Sequence, residues 1–245
     1  MMDIGSFLFW FIIFWFYHGY SITLCYHRCL SHRSAKLNKW LEYLLVWGAY
    51  TAFQSGPIPW VSTHRVHHQS SDRPGDPHSP KYKGFWGAWI GWVTYRQVDK
   101  ERCNILTQDL REDPFYRWLG DGPMPTKVWQ CFTWCILHRV ILFLLFGKEV
   151  ALASALAGFV IFCAPNFINT ICHLKVPGAY RRFKTLDNSQ NVWWLVPFTF
   201  GEALHQNHHY SPRRASVSHT WWEIDITYLF LLVLEKLKLA KDIRR

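Results

Sequence analysis

Residues 4–26 read IGSFLFWFIIFWFYHGYSITLCY, and residues 27–33 continue without a break into HRCLSHR. The first stretch exceeds the roughly 20 apolar residues that a bilayer-crossing helix needs. Its only strongly polar interruption is His18. The second stretch is basic and polar and must lie outside the hydrocarbon. A membrane helix that delivers His27 and His32 to the membrane surface sets the fold class: an all-α integral membrane helical bundle.

Working outward, Val128–Phe146 and Val150–Cys172 read as a helical hairpin turning around Gly147 and Lys148, which makes about three spanning helices. The hairpin's first arm carries His138 and Arg139 near its middle, where a charge should face the protein interior. Leu41–Val61 is apolar but holds Glu42, Gln54, Pro57 and Pro59, so it reads as a dipping or interfacial helix. Gly84–Tyr95 is short, Trp-rich and interfacial. Residues 97–126, broken by Pro114, Pro123 and Pro125, form the main soluble connector. Trp193–Leu204 is too short to span. Trp221–Leu234 and the basic tail Lys236–Arg245 are expected against the inner leaflet. No repeat or linker divides the chain, so residues 1–245 read as a single domain.

Composition agrees. Half of the residues are hydrophobic, and 15 Trp suit a membrane–water interface better than a soluble core. The formal charge of +10 crowds around histidines rather than forming a tail. With such apolar runs, no nucleic-acid partner is expected. An anionic membrane face or an acidic protein partner explains the charge. The seven cysteines form no CxxC pair or disulfide framework and read as reduced. The first apolar run lacks a basic n-region, which argues against a cleavable signal peptide. Arg28, Arg33, Lys36, Lys39, Arg65, Lys81, Lys83, Arg213 and Arg214 flank the histidine groups, so the positive-inside rule sets these groups in the cytoplasm. A single span before His27 then leaves the N-terminus outside.

The histidines carry the chemistry. His64, His67 and His68 sit at i, i+3 and i+4, one face of a helix, and His205, His208 and His209 repeat that spacing. Opposed, the two faces make a six-imidazole cage. His27 and His32 lie about 140° apart on an ideal α-helix and need the helix end to loosen before they converge. Ordinary helices carry surface histidines, so one such motif is weak. Two copies plus the five-residue pair, all on one side of the membrane, are strong. Asn169 and His173, at i and i+4 on the hairpin's cytoplasmic end, add a ninth candidate ring. Taken alone they read more simply as a packed hydrogen-bonding pair.

Thiolates are not clustered, and neither Glu-x-x-His nor His-Glu-x-x-His occurs, which argues against iron–sulfur, soluble di-iron and zinc-protease sites. Imidazole-rich ligation suits iron, copper, nickel or zinc. A membrane-surface site favours two irons sharing an oxygen, able to activate O2 against the C–H bonds of acyl chains. A haem- or metal-carrying membrane protein without enzymatic activity is the competing class.

These stretches resemble the membrane fatty acyl desaturases, the histidine-box di-iron family. The likeness rests on 27–33 HRCLSHR, 60–68 WVSTHRVHH, 76–79 DPHS, 169–173 NTICH and 201–209 GEALHQNHH, in the right order from about residue 5 to 240. It is most similar to the bacterial and cyanobacterial Δ9-type branch, with GPIPW at 56–60 and WWEID at 221–225. The resemblance implies two non-haem irons (Fe2+/Fe3+) held by His27, His32, His64, His67, His68, His173, His205, His208 and His209, with Asn169 acting through a water. It also implies a bent acyl tunnel near Gln54 and Trp60. Their plainer readings are a buried hydrogen bond and an interfacial anchor.

The implied activity is O2-dependent insertion of a cis double bond into a membrane-associated acyl chain. A fatty acyl or lipid hydroxylase of the same superfamily is the alternative. The chain departs from animal acyl-CoA desaturases at Ser62 and Thr63, where they carry a basic and an acidic residue. The family's transmembrane hairpin ahead of the first histidine group is here one span, so either the true start lies upstream or the N-terminus is external. No His-Pro-Gly-Gly haem segment is present, so electrons are expected from a separate ferredoxin or cytochrome b5. His18, His138 and His219 read as structural, and His78 as a loop residue or one standing behind the ligands rather than a ligand. Asp72, Asp76 and Glu202 either orient imidazole N–H groups or serve as caps and surface charges.

Overall fold

The computed structural model describes residues 2–91, 94 and 98–245. Trp92, Val93 and Tyr95, at the end of the Trp-rich stretch, and Gln97, at the start of the expected connector, lie outside the described residues.

The Asp3 carboxylate caps the first helix, α1 (Ile4–Tyr20), by accepting from the backbone N–H of Gly5 and Ser6. Without interruption α1 becomes a π-helical segment over Ser21–Ser31, and every residue of that segment is buried. Small hydroxyl residues hold the transition: Ser21 donates to the Tyr17 carbonyl and Thr23 to that of Gly19. Its end closes with the His32 N–H donating to the His27 carbonyl at 3.2 Å, five residues back.

Strand β1 (Lys36–Leu37) leads into α2 (Lys39–Ala49). The chain then breaks where Phe53 and Ser55 adopt positive φ, and α3 (Pro57–Ser70) starts afresh with Gly56 as its cap. The residues expected to form one dipping helix are thus two helices meeting at a buried corner. Gly56 is required there, because a Cβ would lie 2.8 Å from the Leu119 backbone. Pro57 stands at the first helical turn, where its missing N–H costs nothing.

Helix α4 (Pro80–Trp89) holds most of the described part of the Trp-rich stretch, with Trp86 largely exposed. The connector is more ordered than its prolines suggest. It forms α5 (Lys100–Leu106), α6 (Gln108–Arg111) and α7 (Pro114–Leu119), packed over α3. Helices α8 (Val128–Phe146) and α9 (Lys148–Ile171) form the hairpin around Gly147, whose φ is 88°. Arg139 turns inward from α8 and donates to the Ser154 carbonyl of α9.

Three helices are long and apolar enough to cross a membrane: Ile4–Ser31, Val128–Phe146 and Lys148–Ile171. Helices α1 and α9 run parallel. The Asp3 N–H donates to Glu149 at one end of the pair, and His27 and His173 lie at the other. Strands β2 (Ala179–Tyr180) and β3 (Asn191–Val192) pair antiparallel ahead of a 3-10 segment, Trp193–Thr199. Helices α10 (His205–Tyr210) and α11 (Ile226–Lys236) follow.

The basic tail is tied down rather than simply laid along a leaflet. Strand β4 (Ala240–Lys241) pairs antiparallel with β1, and the Arg244 N–H donates to the Ser34 carbonyl. Backbone pairing drives this, since Lys36 and Leu37 otherwise leave an open edge. All seven cysteines are free thiols, as expected from their spacing.

Candidate metal centre

Four elements bring nine imidazoles together at one end of the spanning helices: the π-helical end of α1, α3, α10 and the turn after α9. The rings sort into two clusters, and within each the ligand-capable atoms lie within 4.8 Å of one another. His27, His32, His64, His68 and His208 form one, and His67, His173, His205 and His209 the other.

Local backbone explains the sorting. In a π-helix, residues five apart are hydrogen-bonded neighbours, so His27 and His32 come onto one face with ring centroids 4.9 Å apart. The 140° separation of an ideal α-helix disappears. On α3, His64 and His68 at i, i+4 join one cluster while His67 at i+3 leans into the other. On α10 the same split sends His205 and His209 one way and His208 the other. Each histidine face therefore straddles both clusters rather than serving one. They abut, with the His68 and His209 rings 4.5 Å apart.

Carboxylates orient the rings. The Nδ1–H of His27 donates to Glu202, that of His67 to Asp76, and that of His173 to Asp72, each at 2.8 Å. His209 donates likewise to Asp187 at 2.5 Å. With the proton held at Nδ1, the lone pair of each ring is aimed inward at Nε2. There the Nε2 atoms of His27 and His208 lie 3.0 Å apart, as do those of His173 and His205. Those of His32 and His64 lie 2.8 Å apart. The Nε2 atoms of His67 and His209 are buried without a hydrogen-bond partner.

Burial, and then neighbouring imidazoles, push the pKa of His64, His68, His205 and His208 well below the usual value, so these rings are neutral. Burial works against the Glu202 carboxylate, yet Arg28 and His27 hold it down to about 2. Converging lone pairs on neutral rings repel one another unless a cation lies among them. The donor set fits two metal ions and does not fit a hydrogen-bonded core.

Beside the rings, a narrow and mostly apolar cavity runs into the helix bundle between α1 and α9. Its inner end lies among Gly19, Ile22, Ile161 and Phe200, and its other end among Trp60, Asn169, His64 and His205. A Cβ on Gly19 would lie 2.1 Å from the Phe200 ring, so only glycine leaves that end open. At the corner before α3, the Trp60 Nε1–H donates to the Gln54 side-chain oxygen at 2.8 Å, and the Trp60 ring stacks on His64 at 5.1 Å.

The sequence model of the fatty acid desaturase family matches residues 5–226. The chain belongs to that family. The desaturase is 38% identical over 234 residues to Delta-9 acyl-lipid desaturase 2 of Arabidopsis thaliana, covering 95% of this chain and 73% of that protein. It is 34% identical over 244 residues to sn-1 stearoyl-lipid 9-desaturase of Anabaena variabilis, covering 95% and 82%. Delta-9 desaturase-like 5 protein of Arabidopsis thaliana is 39% identical over 228 residues, covering 91% and 72%. This chain is therefore an oxidoreductase of the fatty acyl desaturase class.

All nine candidate rings of the desaturase meet in the two clusters. Asn169, Gln54 and Trp60 line the adjoining cavity. His18 is fully buried and bonds the Gly48 carbonyl through Nδ1, while His138 and His219 lie away from the clusters. His78 is buried with its ring 5.6 Å from that of His67. Sequence reasoning missed two residues. Asp187 orients His209 from an irregular loop whose spacing carries no signal. Asp225 shares the buried Arg28 guanidinium with Glu202, and its place in the WWEID stretch was the available clue.

Proposed function

We propose that this desaturase inserts a cis double bond, at the Δ9 position, into a membrane-associated acyl chain, consuming O2 and using two irons. The observation that carries this is the apolar cavity that opens among rings of both clusters. The nine histidines would hold the irons, and Asn169 would act through a water. When bound, the irons supply the oxidising power that removes two hydrogens from adjacent carbons, with O2 reduced to water.

The chain's own residues do the rest. The cavity between α1 and α9 binds the acyl tail and excludes water from it. The Phe200 ring over Gly19 sets how far the tail can enter, which fixes the carbons lying beside the rings. Gln54 holds Trp60 in place, and the indole bounds the substrate where the cavity meets His64. Asp72, Asp76, Asp187 and Glu202 keep protons at Nδ1, so that Nε2 stays a donor atom.

The chain forms one domain crossing the membrane three times, with Ile4 at the far side and the histidines on the cytoplasmic face. Electrons come from an acidic ferredoxin or cytochrome b5 drawn to the basic surface. Expression in a desaturase-deficient host tests the whole reading. Gas chromatography of the host's fatty acids should show a new Δ9 cis-monoene. A hydroxylated chain in its place would instead indicate oxygen insertion, and no new product would reject the reading.

A further inference from the structure

The two ring clusters differ in their electrostatic surroundings. Around the four-ring cluster stand three carboxylates, and each accepts an N–H from a different ring: Asp72 from His173, Asp76 from His67 and Asp187 from His209. Among the described residues none of the three forms an ion pair with a lysine or arginine. Each is fixed by further donors. Asp72 accepts from the Ser79 hydroxyl and the Asn188 N–H, and Asp76 from the N–H groups of Asp72 and His78. Asp187 accepts from the hydroxyls of Thr185 and Ser189. Arg181 stands near Asp187, but it donates to the Asp187 backbone carbonyl and to Thr185 rather than to the carboxylate. The three carboxylates are therefore preorganised, and their N–H partners from the cluster are the rings themselves.

The five-ring cluster has the opposite design. Only His27 donates to a carboxylate, and that carboxylate, Glu202, also binds the buried Arg28 through Nε at 3.0 Å and Nη2 at 2.8 Å. Arg28 is shared in turn with Asp225. On the other flank, Arg65 reaches the carbonyls of Leu30 and Ser31, and its partner Asp109 is also claimed by Arg33. Here every nearby carboxylate is matched by a guanidinium.

We propose that the two metal positions are inequivalent. The four-histidine position, backed by Asp72, Asp76 and Asp187, fills first and releases last, and Asp187 is a positioning residue for it. A carboxylate behind an imidazole makes the ring a stronger donor and adds negative charge close to the cation. The four-histidine position has this from three directions. The five-histidine position has it once, offset by Arg28. More rings do not mean tighter binding here.

The inference rests on the reading that the rings hold two metal ions, and one experiment separates the two. The purified full chain is loaded anaerobically with ferrous iron and mixed with an excess of a coloured ferrous chelator. The expected release is biphasic, with one iron in each phase. His32→Ala should delete the fast phase and keep the slow one. Asp187→Asn should speed the slow phase by about 10- to 100-fold, the usual effect of losing such a partner, and leave the fast phase unchanged. Asp72→Asn, from a different loop, should do the same.

A merely structural loss would speed both phases together, and that outcome overturns the proposal. So does single-phase release of both ions from the unaltered chain, which leaves the metal reading intact. Failure to retain any iron rejects both.

Discussion

The upper and lower parts of the first long helix are covalently continuous and physically opposite. Over Ile4–Phe16 the side chains are almost all apolar and many are open, with Ile4 65% and Phe9 59% exposed. Over Ser21–Ser31 every residue is buried, and specific polar contacts stand among the apolar core residues. Tyr26 donates to the Ser55 carbonyl, Thr23 meets Thr227, and Arg28 spans to Glu202 and Asp225. The upper part needs only to be greasy and helical, since lipid is an indifferent neighbour. The lower part needs particular atoms at particular angles. Sensitivity to substitution should therefore rise steeply along one helix.

The largest effect belongs to the rings. His27→Ala in the lower part, and His208→Ala, whose Nε2 lies 3.0 Å from that of His27, should abolish unsaturated product while leaving the protein in the membrane fraction. Gas chromatography and membrane fractionation check both points, and activity surviving in both variants would break the contrast. Next comes Arg28→Met. It leaves Glu202 and Asp225 buried without their shared cation, a change that destabilises by about 3–5 kcal/mol. Thermal unfolding in detergent should show it as one of the lowest midpoints of any single variant in this helix.

Legibility follows the same division. The spanning helices could be read because hydrophobic length is a property of composition, and α8 and α9 lie within a residue or two of their expected bounds. Both HxxHH groups could be read because i, i+3 and i+4 define a helix face whatever surrounds it. The convergence of His27 and His32 could not be derived from α-helical angles. Their five-residue spacing is a π-helical register, and only packing against α2, α3 and α11 selects that register over the α-helix. Asp187 was hidden for a different reason. It is positioned by loop hydrogen bonds to Thr185 and Ser189, which have no sequence period. The corner at Phe53–Gly56 lay between, since two prolines showed that the segment was no clean span but not that it splits into two helices at the positive φ of Phe53 and Ser55.

Gly19 marks the boundary between the two regimes, and a change there should have an intermediate effect. A Cβ at this position meets the Phe200 ring, which is itself enclosed by Trp15, Phe16 and Tyr20. Gly19→Val overfills a packed site and should cost about 1–3 kcal/mol. It also narrows the inner end of the cavity, so conversion of the longest acyl chains should fall before that of shorter ones. Feeding a mixture of chain lengths reads this directly, and an unchanged product distribution would remove Phe200 from the cavity's end.

The smallest effect tests the premise of the comparison. Phe9 sits in the upper part, more than half exposed, and its close ring contact is Trp10, its own chain neighbour. If lipid covers that face, Phe9→Leu exchanges one hydrocarbon surface for another with no partner lost. The change should stay within about 0.5 kcal/mol, as for a surface substitution away from any special feature. A midpoint shift several times larger would mean that protein rather than lipid covers the upper part. Both parts of the helix would then be equally specified, and composition would no longer explain why one of them was easy to read.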